Sequence, residues 1–279
     1  MSPEGALHRP LPSYWTPPAT YTDPQVFDTT RYASDNLTSW MPHLIRIGQM
    51  TPSTPALDLG CGTGGFTLAL QTLTGARVVG MDISLPLLQY GARKPGGQCL
   101  WWIQGQAAPL PFAEATFARV LLSLVLHQLT HRAQALREIA RVLQPGGLVI
   151  IRTITPEAVR RRVPFRFFPT VAAMEATRMP TSAAIEALLG GAGFTLVQTE
   201  VVERHKALDF QAVLAEFQER PSARALTSEE FRQGLAAMRE EWQRQAGRVV
   251  DPRPTLFMVG QKGGRNAVVT VRRGQVHVT

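Results

Sequence analysis

The sequence predicts an α/β fold, a doubly wound and mostly parallel sheet with helices on both faces. Three observations carry that prediction. From Pro55 to Thr153 strand-like and helix-like stretches alternate, the pattern of a sheet whose strands are joined by helical crossovers. Runs such as Leu121-Leu-Ser-Leu-Val-Leu126 are apolar throughout, as strands buried on both faces are. Finally, Ala56-Leu-Asp-Leu-Gly-Cys-Gly-Thr-Gly-Gly-Phe66 reads as a buried strand that runs into a glycine loop and opens a helix.

Each element follows from local pattern. Residues 1–24 carry six prolines, which exclude helix and sheet interiors and predict an extended arm studded by Tyr14, Trp15 and Tyr21. That arm reads either as a disordered terminus or as an aromatic flap over a substrate. Residues 35–47 place Leu37, Trp40, Met41, Leu44 and Ile45 at helical spacing. The alternating region then gives strand 56–59, helix 64–73, strand 77–81, helix 85–92, strands 99–103 and 118–125, helix 131–143 ending at Pro145-Gly146-Gly147, and strand 147–153. Beyond it, 155–178 reads as a helix and then the Pro-containing aromatic segment Phe165-Arg-Phe-Phe-Pro169. A helix at 181–190, a strand at 194–203, helices at 207–219 and 227–246 and a strand at 254–261 follow. The second of those helices opens on Thr227-Ser-Glu-Glu230, a capping signal. The tail 265–279 alternates around Arg273-Gly274, as a small hairpin would. The expected organisation is the arm 1–24, one domain at 25–264 with lid elements near 155–178 and 207–246, and the tail.

A chain of 279 residues can bury one core of this kind. Cys61 and Cys99 are its only cysteines, too few for a disulfide framework or a zinc site, so no metal is expected and a reducing compartment is. There is no signal-peptide pattern and no apolar run near the ~18 residues of a membrane span; a soluble, cytoplasmic protein is expected. The formal charge of +8 raises nucleic acid as a partner. Its distribution argues against that: 26 of the 29 basic residues are arginines, scattered except for Arg160-Arg161-Arg162 and Arg272-Arg273.

The glycine loop carries the functional argument. Gly60, Gly62 and Gly64 allow sharp turns and close approach of backbone to a ligand, and the helix that follows offers N–H groups. Gly60-x-Gly62-x-x-Gly65 with Asp82 22 residues after Gly60 also satisfies a dinucleotide fingerprint. Two features favour another cofactor. Asp58, at the strand's end, would repel a pyrophosphate but suit a ligand bearing ammonium and sulfonium groups, and no second mononucleotide half follows.

Four ordered segments, LDLGCGTGGF at 57–66, VVGMDIS at 78–84, GQAAPLPF at 105–112 and the run from Phe117 to Thr153, resemble the class I S-adenosylmethionine-dependent methyltransferases, in the small-molecule branch that includes ubiquinone- and menaquinone-type enzymes. The resemblance implies a seven-stranded sheet with one antiparallel strand, a helical lid, and S-adenosylmethionine as cofactor. It assigns the methionine moiety to Asp58 and to Gly60, Cys61, Gly62, Thr63 and Gly64. The ribose hydroxyls fall to Asp82 beside Ile83, the adenine to Gln106 and Ala107, and Ser123 joins the cofactor set. Gln106 stands where the family has Asp, keeping an acceptor but losing the charge, and Ala118 replaces another usual Asp. His127, just past the fourth strand, is the candidate base or orienting group; His43, His205, Tyr14, Tyr21 and Tyr32 are peripheral alternatives. Phe165, Phe167, Phe168 and Met174 suggest an apolar acceptor pocket, with Arg160 to Arg162 or Arg166 as a clamp for an acidic group. The expected activity is methyl transfer to a small organic acceptor. The rivals are an RNA methyltransferase and a catalytically silent protein that binds S-adenosylmethionine or NAD.

Overall fold

A computed structural model describes residues 23–31, 34–218, 221–263 and 270–275. The arm 1–22, with Tyr14, Trp15 and Tyr21, lies outside the described residues, as does Tyr32. The chain enters through α1 (Pro24–Arg31), an element absent from the sequence prediction. Asp23 starts it, accepting from the N–H groups of Gln25 at 2.8 Å and Val26 at 3.2 Å, and Pro24 sits at the first helical position, where no N–H is needed. The amphipathic α2 (Ser34–Gly48) buries Trp40, Met41, Leu44 and Ile47.

The alternating region follows as expected: β1 (Ala56–Leu59), α3 (Gly65–Thr74), β2 (Val78–Asp82), α4 (Leu85–Arg93), β3 (Trp101–Gln104), β4 (Phe117–Ser123), α5 (Arg132–Val142) and β5 (Leu143–Thr153). One boundary differs. Pro145-Gly146-Gly147 lies inside β5 rather than ending the helix, because the pairing slips there: Phe117 faces Leu143, whereas Arg119 faces Leu148. The later elements are α6 (Pro156–Arg161), α7 (Val163–Phe167), α8 (Pro169–Arg178), α9 (Ser182–Gly191), β6 (Phe194–Ala207), α10 (Phe210–Gln218), α11 (Ser228–Arg244), β7 (Val250–Lys262) and β8 (Thr270–Gln275). The Pro-containing aromatic segment is helical, because Pro164 and Pro169 fall at helix starts, where proline is favoured. α11 opens with the reciprocal capping box of Thr227 and Glu230.

The strands order as β3-β2-β1-β4-β5-β7-β6-β8. β3, β2, β1, β4 and β5 are parallel, and the first seven strands form the seven-stranded mixed sheet with antiparallel β7 of the class I methyltransferase fold. Of the tail, expected as a hairpin, Thr270–Gln275 forms a strand beside β6 that runs through Arg273-Gly274, and the rest lies outside the described residues. Strand order reverses between β1 and β4, the switch point at which doubly wound sheets bind ligands.

Two compact units divide the chain: Met1–Arg152 with Ala187–Gln198 and Met258–Val269, and Thr153–Glu186 with Thr199–Phe257 and Thr270–Thr279. In the first, Leu57, Met81, Val120, Leu122, Ile139 and Ile151 are buried in the core. In the second, Phe165 and Phe168 belong to a cluster with Val171, Phe217, Met238 and Trp242. Phe168 stacks on Phe217 at 4.1 Å, and Met174 is exposed. The aromatic residues expected to line an acceptor pocket are therefore largely the core of the second unit. Of the arginine triplet, Arg161 bonds Glu203 at 2.6 Å and Arg162 bonds Asp251 at 3.2 Å.

Candidate functional site

β1 delivers the chain to a loop whose three alternating glycines all have positive φ: 77° at Gly60, 58° at Gly62 and 73° at Gly64. Only glycine takes that region freely, and space adds a second reason at two positions. A Cβ on Gly60 would lie 2.3 Å from Cγ2 of Val125, and one on Gly64 would lie 2.1 Å from Cη2 of Trp102. Trp102, held by its Nε1–H to the Gly97 carbonyl at 2.8 Å, thus packs directly on the loop.

The loop holds its own shape. The N–H groups of Gly60 and Cys61 donate to the Met81 carbonyl at 2.7 and 3.0 Å, and that of Gly64 to the Cys61 carbonyl at 2.9 Å. Gly62 N–H donates to Asp82 Oδ2 at 2.8 Å. Since buried amides must be paired, these four fix the turn.

Asp82, at the tip of β2, is half-buried, and its Oδ1 accepts from Ser84 N–H at 2.9 Å. Two backbone bonds orient a carboxylate that has about four acceptor positions, the condition for receiving a pair of hydroxyls. Asp58 lies one residue inside β1 and is buried, its Oδ2 accepting from Thr67 Oγ1 at 2.7 Å. The bond to Thr67 ties β1 to α3. Burial first, then the charges of Asp58 and Asp82, push the Cys61 thiol well above its ordinary range.

The remaining assigned residues are distributed around this centre. Thr63 is fully buried and its hydroxyl donates to Asp28 Oδ1 at 2.5 Å. The half-buried Ile83 accepts at its carbonyl from Gln104 Nε2 at 3.1 Å. Gln106 is exposed and Ala107 half-buried on the segment after β3. That segment is fastened at Gly105, whose N–H reaches the Asp82 carbonyl at 3.0 Å, and by a clamp on α5. There Arg141 donates to the carbonyls of Phe112 at 2.8 Å and Leu110 at 3.0 Å, while Glu138 accepts from Leu110 N–H at 2.8 Å. Hydrogen bonding from Arg141 holds the Glu138 carboxyl below the usual range.

Ser123, buried at the end of β4, accepts from Arg152 Nη1 at 2.9 Å. The Arg152 guanidinium also lies over the rings of Trp40 at 4.5 Å and Phe66 at 5.3 Å. His127 is half-buried on a 3-10 turn, Leu126–Gln128, that follows the positive-φ Leu124; its carbonyl accepts from Arg132 Nη2 at 3.2 Å. His43 stands on α2, 3.1 Å from Arg46, and His205 on β6 of the second unit, 3.5 Å from Glu203. Sequence reasoning missed Asp28, Lys94, Trp102 and Arg152. Only Arg152 left a signal, a charge that directly follows the apolar run 148–151. Among the described residues no group of three or more His, Cys, Asp or Glu is placed to hold a metal ion, and no helix is long and apolar enough to cross a membrane.

Asp82 at the tip of β2 is bonded to the left-handed glycine turn after β1, at the carboxyl ends of the strands, where doubly wound sheets bind ligands. Residues 57–151 match the model of a Methyltransferase domain, and that segment is similar to the class I S-adenosylmethionine-dependent methyltransferases. A demethylmenaquinone methyltransferase of Lactiplantibacillus plantarum is 41% identical over 108 residues, 36% of this chain and 46% of that protein. The biotin biosynthesis bifunctional protein BioHC of Cellvibrio japonicus is 41% identical over 103 residues, 37% of this chain and 20% of that protein. The chain thus spans less than half the length of these curated relatives. The solved structure of BH2331 from Bacillus halodurans, 18% identical, superposes with a TM-score of 0.58 over 83% of this chain and 100% of that one, a likeness of fold.

Proposed function

We propose that this protein is a methyltransferase that takes S-adenosylmethionine at the ends of β1 to β3 and methylates a small organic acceptor. The anchored carboxylate of Asp82 carries the reading. A nucleoside's two ribose hydroxyls facing one ionised carboxylate make charge-assisted hydrogen bonds, and the adjoining positive-φ turn at Gly60 and Gly62 leaves backbone rather than side chains beside it. These residues fit the cofactor. When bound, it supplies an electrophilic methyl group on a sulfonium.

The chain's own part is placement. Asp82 sets the nucleoside, and Gln106 offers a carbonyl to an exocyclic amine and an amide N–H to a ring nitrogen. His127, on the turn after β4, is proposed to orient the acceptor or take its proton. Positioning supplies most of the rate in such transfers, so no further base is required. The demethylmenaquinone methyltransferase match supports a small-molecule acceptor, since that relative's name specifies one.

Calorimetric titration with S-adenosylhomocysteine and with NAD tests the cofactor. Binding of the first alone, weakened about 100-fold in Asp82→Ala by loss of two charge-assisted bonds, is expected; binding of NAD alone overturns the reading. Transfer RNA shifted in a gel with a steep salt dependence would replace the small acceptor with RNA.

A further inference from the structure

We propose that Asp28 is a positioning residue for the cofactor loop: it latches α1 onto residues 60–64, and the latch and cofactor binding stabilise each other. The inference rests on the S-adenosylmethionine reading above. One carboxylate oxygen, Asp28 Oδ1, accepts the Thr63 hydroxyl at 2.5 Å and is ion-paired with the Lys94 ammonium.

The two partners belong to the two halves of the cradle. Thr63 sits between Gly62, whose N–H orients Asp82, and the positive-φ Gly64. Lys94 caps α4, the helix whose N-cap, Ser84, holds the other Asp82 oxygen. A single side chain from outside the alternating region therefore bears on the turn after β1 and on the helix after β2. Lys94 and Asp28 are only 17% and 24% exposed, so their attraction is less screened than that of a surface pair. Phe27, beside Asp28, is buried and seats the helix.

α1 has eight residues, too few to persist as a helix without tertiary contacts. Its docking depends on these bonds and on Phe27. Because the bonded loop is the one the cofactor requires in a fixed shape, a ligand that prefers the latched state draws α1 down, and the latch raises the ligand's affinity by the same factor.

The test uses the full chain: wild type, Asp28→Ala, Asp28→Asn and Lys94→Met, titrated calorimetrically with S-adenosylhomocysteine, with hydrogen exchange of residues 24–31 followed with and without it. In wild type, exchange in 24–31 slows on binding. Asp28→Ala binds about tenfold more weakly, the loss of a charge-assisted bond, and its 24–31 exchange no longer responds to ligand. Asp28→Asn, whose amide oxygen still accepts from Thr63, loses less. A purely structural role would lower thermal stability without making exchange in 24–31 depend on ligand. Should Asp28→Ala not fold, Asp28→Asn and Lys94→Met carry the comparison. Unchanged affinity in the folded variants, or exchange in 24–31 that ignores the ligand in wild type, overturns the latch alone. Wild type with no affinity for S-adenosylhomocysteine overturns the cofactor reading and the coupling with it.

Discussion

The loop region of the first unit and the helical second unit are held together by different means. Around residues 60–64 the shape is set by backbone: positive φ at three glycines, and amides bonded to the Met81 carbonyl and the Asp82 carboxylate. In the second unit the shape is set by apolar volume, Phe168 stacked on Phe217 and Phe231, and by one fully buried carboxylate. Asp251 accepts from Val163 N–H at 2.8 Å, Arg162 at 3.2 Å and Arg253 at 3.0 Å. Backbone constraints demand particular residue types at particular positions, whereas apolar volume can be filled by many. The family model matches 57–151, the stretch that contains the loop.

The largest effect is expected at Asp251. Asp251→Ala leaves two guanidinium groups without their shared carboxylate, and a loss of about 3–5 kcal/mol is expected, read by urea unfolding. Asp251→Asn should lose less, since Val163 N–H keeps an acceptor.

Next comes Gly64→Ala, which meets both an unfavourable φ and the Trp102 ring, with an expected loss of about 2–4 kcal/mol. Combined with Trp102→Leu, the double variant should recover the steric part in thermal melts and keep the backbone part. Full recovery would mean that packing alone, as in the second unit, governs the loop.

A smaller effect belongs to the Glu138–Arg141 clamp on residues 105–112. The Glu138 pKa is depressed in the folded state, so its contribution is complete above the unfolded value of about 4.3 and is lost as pH falls through the folded value. Arg141→Met should lower stability by about 1 kcal/mol near neutral pH and flatten the pH dependence of melting below pH 5. An unaltered profile would show that the clamp does not titrate with folding.

Thiol chemistry gives the smallest perturbation. Cys61 is buried with a raised pKa, while Cys99 is exposed. Ellman's reagent should titrate one thiol quickly in the native protein and the second only on unfolding. Rapid reaction of both would show that the loop opens.

The fold was legible where two demands coincided. Continuous apolar strands and helical periodicity between residues 56 and 153 located every β- and α-element there to within a few residues, and Asp82 and the glycines were legible because their chemistry fixes their spacing. α1 escaped because eight residues carry too little periodicity, and its start depends on one Asp-Pro pair. The helical character of 163–167 escaped because a proline that stops one helix is also the residue that starts the next. The tail's place beside β6 escaped because an alternating strand does not name its partner.

By itself the sequence determined the alternation of elements, the glycine turn and the acid 22 residues on, because each is a short-range consequence of backbone geometry. Only the tertiary structure decided which amides the loop keeps for itself, that Asp58 serves β1 and α3, that Trp102 needs the glycine at position 64, and that Asp28 reaches Thr63 35 residues away. Those are meetings between distant segments, and their partners are chosen by packing and by the requirement that every buried polar group be paired.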